Sequence, residues 1–477
     1  MPARKRSPAI LALQIALLLS GWAVALGLSL RVREQPAPPP APVSAGEGSF
    51  ERIFREWSAD PQLAGALVGF CLLDEEGRTV FASPLAEKAL CPASALKTMT
   101  TGAALALLGS EFRFETALAA TAPLDSGGRV AGDLVLVGGG DPTLSRADLE
   151  KLVQAVVAAG LKKVSGRLLG DTSIFPADPV SEHWNWGDIG NAYGAGAFGL
   201  NLDHNRFELS FEPGPQPGTP TKLIEGASVP RETRWINHVV TGPAGSGDQV
   251  VVYSEPYGRT IILRGSVPAG ERRFTIRGAN PDPPALALEF LRARMEAAGV
   301  AFADESGPST PQPRSTLAVH HSASLPEIID HLHRASDNLE AQCVFLMVGK
   351  LQQGDAAAVI REHWERAGVQ FVGLRLIDGS GLARANMIRP IDLARVNLAA
   401  REGPEGERYF QSLPSYANGS IRGKIGGMSG VKTQVGFVRT RQNRELTFAL
   451  FGNGLPTGRD FWRRVEELLE AVRASDL

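Results

Sequence analysis

The spacing of apolar and polar residues changes several times along the chain, and each change predicts an element. Ala64 to Leu73 alternates loosely, Asp74-Glu75-Glu76-Gly77 breaks the run with a turn signature, and Arg78 to Ala82 resumes it, which predicts a hairpin. From Ala95 to Leu108 apolar and small residues fill nearly every position, the pattern of a helix buried on all sides, with Gly109 as its stop. Between about 115 and 280, short extended runs such as Asp133 to Val137, Val250 to Tyr253 and Arg259 to Leu263 are separated by Gly/Pro turns, including Glu212-Pro213-Gly214-Pro215. That stretch is expected to be mainly β. Helical spacing returns at Pro283 to Ala298, which should carry the chain back to its first layer, and Ser306 to Arg314 reads as a polar loop. Leu325, Ile328, Ile329 and Leu332 predict a helix, and Leu339 to Val348 another. Arg422 to Phe437 and Glu445 to Phe451 read as strands, and Asp460 to Val472 as an amphipathic helix with Phe461, Val465, Leu468 and Leu469 on one side.

At 477 residues and 43% hydrophobic content, the chain has material for several buried cores. A formal charge of -2, from 49 Lys+Arg against 51 Asp+Glu without a basic block, argues against nucleic acid as a partner. The N-terminus is more telling. Arg4-Lys5-Arg6 precedes an almost unbroken apolar run from Ala9 to Leu30, and Pro36, Pro38, Pro39, Pro40 and Pro42 follow. Residues 1–33 are therefore expected to be a signal peptide or membrane anchor, and 34–49 a Pro-rich linker. With the basic end in the cytoplasm, the bulk of the protein is expected in the periplasm or on the extracytoplasmic face, tethered through residues 9–30. Cys71, Cys91 and Cys343 lack metal-ligand spacing and read as small buried side chains.

Three short segments carry chemistry. In Ser94-Ala95-Leu96-Lys97 the three-residue spacing puts a hydroxyl and an amine on one helix face, where the amine can take the proton of an attacking oxygen. Ser336-Asp337-Asn338 ends one predicted helix and opens the next, and Lys424-Ile425-Gly426-Gly427 begins a predicted strand. The long separation between the first two segments implies an insertion. In this order and with these flanks, the chain resembles the penicillin-binding serine D-Ala-D-Ala carboxypeptidase/endopeptidase family, the low-molecular-mass type with domains inserted between its first two motifs. Gly138-Gly139-Gly140-Asp141-Pro142-Thr143, Trp184-Asn185-Trp186, Tyr193-Gly194-Ala195 and Asp378-Gly379-Ser380-Gly381-Leu382 extend the likeness.

The resemblance implies an α/β fold, a penicillin-binding/β-lactamase-like transpeptidase domain (antiparallel sheet with flanking helices) interrupted by mainly β inserted domains. The expected division is 50–114 for the first catalytic part, 115–282 for the insert and 283–477 for the second catalytic part. The implied activity is hydrolysis of peptidoglycan stem peptides through an acyl-enzyme on Ser94, with β-lactams as covalent inhibitors and with no cofactor or metal. Lys97 would be the base. Ser336 would return the proton to the leaving amine, Asn338 would hold the substrate amide and Lys97, and Asp337, Lys424, Gly426 and Gly427 would complete the substrate wall. The oxyanion would rest on the backbone N–H groups of Ser94 and Gly427.

One departure matters. The family's third motif is Lys-Thr-Gly followed by Thr, whereas Ile425 and Gly427 occupy the two threonine positions here. Ile425 cannot donate to the substrate carboxylate, a loss worth roughly 1.5–3 kcal/mol for a charged partner. A catalytically weakened peptidoglycan-binding protein is thus the alternative reading, and a β-lactamase a more distant one. Lys432-Thr433-Gln434 keeps a threonine but puts Gln where the motif needs glycine, so Lys424 is the better match. His320-His321 and His331-x-His333 are expected to be solvated, since positions two apart on a helix face different ways. Trp184, Trp186 and Tyr193 are read as core aromatics.

Overall fold

The computed structural model describes residues 49–224, 228–303, 315–456, 460–475 and 477. The N-terminal apolar run, the Pro-rich linker and the 306–314 loop lie outside the described residues.

The central sheet has six antiparallel strands in the order Ser415–Tyr416, Ile421–Met428, Val431–Arg439, Glu445–Asn453, Leu67–Leu73, Thr79–Ala82. Its middle joins the two ends of the described chain, because Leu67–Leu73 pairs with Glu445–Asn453 from Leu67↔Asn453 to Leu73↔Thr447. Glu445–Asn453 reads as an apolar run because it is covered on both faces. Leu446, Phe448 and Leu450 face the terminal helices Ser49–Ser58 and Phe461–Ala474 in a core with Phe50, Phe54, Phe70 and Val465. Ala449 and Phe451 face the other way, into a larger core with Met99, Leu105, Val344 and Trp364. The period of two along one strand thus builds both layers.

The larger core is centred on the helix Lys97–Leu108, whose residues from Lys97 to Leu105 are all buried, as its apolar composition predicts. Around it pack Leu325–Ala335, Asn338–Leu351, Ala356–Arg366 and Pro390–Glu402.

The inserted region holds its own cores. Ser315–His321, Glu115–Ala120, Leu134–Val137 and Leu168–Asp171 form a four-stranded sheet covered by the helices Arg146–Ala158 and Pro283–Ala297. Two three-stranded sheets, built from segments between Arg206 and Ala279, enclose a second core of the insert with Phe207, Phe211, Val252 and Leu263. This moves the expected boundary at 282. The apolar stripe Leu286, Ala287, Leu291 and Met295 is buried against Leu149, Leu152 and Val153 of the insert, and the chain leaves the insert only through Ser315–His321, paired with Glu115–Ala120. Pro283–Ala297 therefore belongs to the insert. The Arg146–Ala158 helix, opened by a Ser145/Asp148 capping box, adds helical structure to a region expected to be mainly β.

Trp364 is 2% exposed, lies in the core around the nucleophile helix and donates its indole N–H to the Met99 carbonyl at 3.1 Å. Trp364→Ala should lower unfolding stability by about 3–5 kcal/mol, read as a reduced midpoint in urea denaturation.

Candidate active site

Ser94 sits in the tight turn Ala93–Leu96 that leads into the helix Lys97–Leu108. It is partly exposed, whereas every neighbour from Cys91 to Lys97 is buried. Two glycines let other segments reach this turn. A Cβ on Gly381 would stand 1.9 Å from the Ala93 carbonyl, and one on Gly426 would stand 2.7 Å and 2.8 Å from the Ala95 and Ser94 nitrogens and 2.4 Å from Thr433 Oγ1. Only bare backbone can pass there. Thr433, across from Gly426 in the next strand, fastens the turn by donating to the Pro92 carbonyl at 2.6 Å. The threonine of the rejected Lys432-Thr433-Gln434 match is thus a clamp beneath the motif strand.

Lys97 is 0% exposed, and its Nζ has three polar neighbours: Ser94 Oγ at 2.9 Å, Asn338 Oδ1 at 2.6 Å and the Ser380 carbonyl at 2.6 Å. Asn338 is oriented by its own amide, which donates to the Tyr193 carbonyl at 2.8 Å. Two of the three neighbours of Nζ can only accept. An uncharged amine donates to those two and keeps its lone pair for the Ser94 O–H, which is the arrangement of a base ready to deprotonate the serine. Burial, and after it the charge of Lys424, pushes the Lys97 pKa well below the ordinary lysine range, against the opposing pull of Asp378 and Asp337.

Ser336 caps the helix Leu325–Ala335 in a left-handed conformation (φ 55°), which turns the chain into Asn338–Leu351. Its Oγ accepts from Lys424 Nζ at 2.8 Å, and the same ammonium donates to the Ile425 carbonyl at 2.8 Å. Lys424 is 1% exposed, and burial pushes its pKa down to about 8. The Gly423 N–H points to the strand's outer edge, donating to Pro414, so the alternation of an antiparallel strand aims the N–H groups of Ile425 and Gly427 the same way. Ser415–Tyr416 covers only Ile421 and Arg422, which leaves that edge open beside Ser94. A peptide can add there as a further strand, with the Ser94 and Gly427 amides beside the bond to be cleaved.

The structure brings together Ser94, Lys97, Ser336, Asn338, Lys424, Gly426 and Gly427. Asp337 is the exception. It is 3% exposed, with one oxygen accepting from the Glu340 N–H at 3.0 Å and the other from Arg206 at 2.8 Å. Burial alone would raise its pKa, but Arg206 and the Glu340 N–H hold it below the usual carboxylate range. Asp337 therefore ties the Ser336 turn to the insert and is not part of the substrate wall. Sequence reasoning also missed Asp378 as a hub: its carboxylate accepts from the amides of Ser380, Gly381 and Ala383, from Asn386 Nδ2 and, at 2.6 Å, from the Trp184 indole. That network aims the Ser380 carbonyl at Lys97. Trp184 is core as expected, but Trp186 and Tyr193 are 58% and 48% exposed. His333 is not solvated either, being buried between Thr101 and Ser412, where burial and the charge of Lys424 push its pKa down to about 3. His331 is half-exposed and lies 2.7 Å from Glu340.

Comparison with known proteins agrees with this geometry. The family model described as the D-Ala-D-Ala carboxypeptidase 3 (S13) family matches residues 54–473. A D-alanyl-D-alanine carboxypeptidase of an Actinomadura species is 32% identical over 431 residues, covering 83% of this chain and 79% of that protein. The D-alanyl-D-alanine carboxypeptidase DacB of Haemophilus influenzae is 26% identical over 419 residues, covering 83% and 87%. In fold, the chain is similar to the crystal structure of penicillin binding protein 4 (dacB) from Haemophilus influenzae, with a TM-score of 0.76 at 21% identity over 89% of this chain and 98% of that one.

The contacts of Gly426 give a sharp expectation. Gly426→Ala should force the motif strand away from the Ser94 turn and slow labelling of Ser94 by a fluorescent penicillin at least about tenfold, with the far-UV circular dichroism unchanged.

Proposed function

Because the chain belongs to the D-Ala-D-Ala carboxypeptidase 3 (S13) family, we propose that it is a serine carboxypeptidase and endopeptidase acting on D-Ala-D-Ala-type bonds in peptidoglycan stem peptides. The observation that carries this reading is the set of neighbours around the Lys97 amine, which leaves one lone pair for the Ser94 hydroxyl.

Uncharged Lys97 takes the Ser94 proton as Oγ attacks the carbonyl of the penultimate residue. The amides of Ser94 and Gly427 receive the negative charge on the carbonyl oxygen. Collapse breaks the peptide bond; the leaving amine takes a proton from Ser336, and Ser336 regains one from the ammonium of Lys97, so that the proton taken from Ser94 ends on the departing amine and Lys97 is uncharged again. Lys424 favours that transfer because it donates to Ser336 Oγ and leaves the hydroxyl hydrogen available. Asn338 keeps the Lys97 amine oriented through both steps. Water, activated by the same base, then releases the acyl group and restores Ser94. β-Lactams enter as substrates whose acyl-enzyme persists. Ile425 and Gly427 stand outside this proton path, which supports a working hydrolase over the weakened binding protein. The apolar run at residues 9–30 supports an exported enzyme tethered to the membrane and facing the cell wall.

Digestion of defined monomeric and cross-linked muropeptides tests the reading. The wild-type chain should release terminal D-Ala and open cross-links, while Ser94→Ala should lower turnover by at least about a thousandfold. Failure of the wild-type protein to form a penicillin adduct at Ser94 would refute it. The pH dependence has a determined sign. Lys97 gains reactivity as rising pH empties its depressed pKa, whereas Lys424 loses its charge above about 8. The acylation rate should therefore follow a bell whose alkaline limb lies near pH 8, measured by stopped-flow with a chromogenic β-lactam.

A further inference from the structure

The motif strand presents two faces with different tasks. Lys424 and Gly426 lie on the face toward Ser94 and Ser336. Ile425 and Gly427 lie on the other, one residue out of phase, and both lack the hydroxyl of the related motif. Antiparallel partners share a face, and the partner of Gly427 is Lys432. A Cβ on Gly427 would stand 3.3 Å from Lys432 Nζ and 3.7 Å from its Cδ, so the missing side chain opens the space beside which the lysine lies. Its ammonium therefore sits within hydrogen-bond reach of where a threonine hydroxyl at 427 would be.

Lys432 is also uncommitted. Among the described residues it has no ion-pair or hydrogen-bond partner, and its ammonium lies over the Trp462 ring, 5.9 Å from the centroid. Lys424 differs in being 1% exposed and already donating to Ser336 and the Ile425 carbonyl. It supplies field more than contact. Beside the open edge Ile425 and Gly427 are exposed while Lys424 and Gly426 are buried, so the Ile425–Gly427 face is the one open to the charged end of a substrate lying there. Among the described residues, a partly exposed cation on that face is Lys432.

We infer that Lys432, reaching past Gly427 from the neighbouring strand, binds the C-terminal carboxylate of the substrate in place of the two absent threonine hydroxyls. The inference rests on the hydrolase reading above and adds its specificity: preference for peptides with a free C-terminal carboxylate, conferred by a cation and not by hydroxyl donors.

The test uses the full chain and a diacylated L-Lys-D-Ala-D-Ala tripeptide, as free acid and as C-terminal amide. Lys432→Met should lose roughly ten- to hundredfold in kcat/KM on the free acid and little on the amide, with Lys432→Arg restoring most of the loss. Labelling of Ser94 by a carboxylate-free fluorophosphonate should be unchanged in all variants, which reports the integrity of the fold and of Lys97. Equal losses on acid and amide, or no loss on either, would overturn the assignment. Calorimetric binding of the free acid to Ser94→Ala protein, with and without Lys432→Met, reads the same contact without turnover. Weaker binding supports the role of Lys432 even if the hydrolase reading fails, and unchanged binding refutes it.

Discussion

The arrangement depends on a single buried amine. Lys97 has no access to water, and its three polar neighbours come from three remote parts of the chain: the turn at Ser94, the helix start at Asn338 and the loop at Ser380. A buried ammonium would cost several kcal/mol in desolvation, and two fixed acceptors satisfy the uncharged form without a counter-ion at contact distance. The carboxylates that could hold the proton on it, Asp378 and Asp337, are each occupied by other donors. The fold lowers the proton affinity of this amine by burial and by the nearby charge of Lys424, and it offers hydrogen-bond acceptors at contact distance in place of anions.

That constraint explains why the insertion is not a detachable appendage. Tyr193 offers the carbonyl that orients Asn338, Arg206 neutralises Asp337 beneath the Ser336 turn, and Trp184 completes the hydrogen bonds of Asp378. All three residues are in the inserted region, and each acts on a residue that touches Lys97 or holds one that does. The insert thereby fixes the electrostatics of the base as well as the wall of the cleft.

Much of this was legible in the sequence where side-chain chemistry and periodicity coincide. The helix after Ser94 announces itself by being apolar all round, and the amphipathic C-terminal helix by its stripe. What stayed hidden depends on partners far apart in sequence or on backbone atoms. Ser380 contributes a carbonyl, which no residue type signals. Asp337 reads as part of a substrate motif, and only the fold puts Arg206 against it. Thr433 looked like a rival motif because register between neighbouring strands, not spacing along one, places it under Gly426. Pro283–Ala297 reads from sequence as the start of the second catalytic part and packs in the insert for the same reason: an apolar stripe shows that a helix is buried without saying against what.

The two-residue repeat of the motif strand has a further consequence for how such a site can change. The proposed proton transfer uses the face bearing Lys424 and Gly426, where a Cβ at 426 would already collide with the Ser94 turn. The proposed recognition of the substrate's end uses the face bearing Ile425 and Gly427, where Ile425 is 37% exposed and a Cβ at 427 would meet only the end of the Lys432 side chain. Substitutions at 425 and 427 therefore alter what is bound without moving the groups that do the chemistry. A substitution at 426 has no such freedom. Side-chain alternation in a single strand separates reactivity from specificity, which is why Lys-Ile-Gly-Gly can replace Lys-Thr-Gly-Thr while the surroundings of Lys97 remain complete.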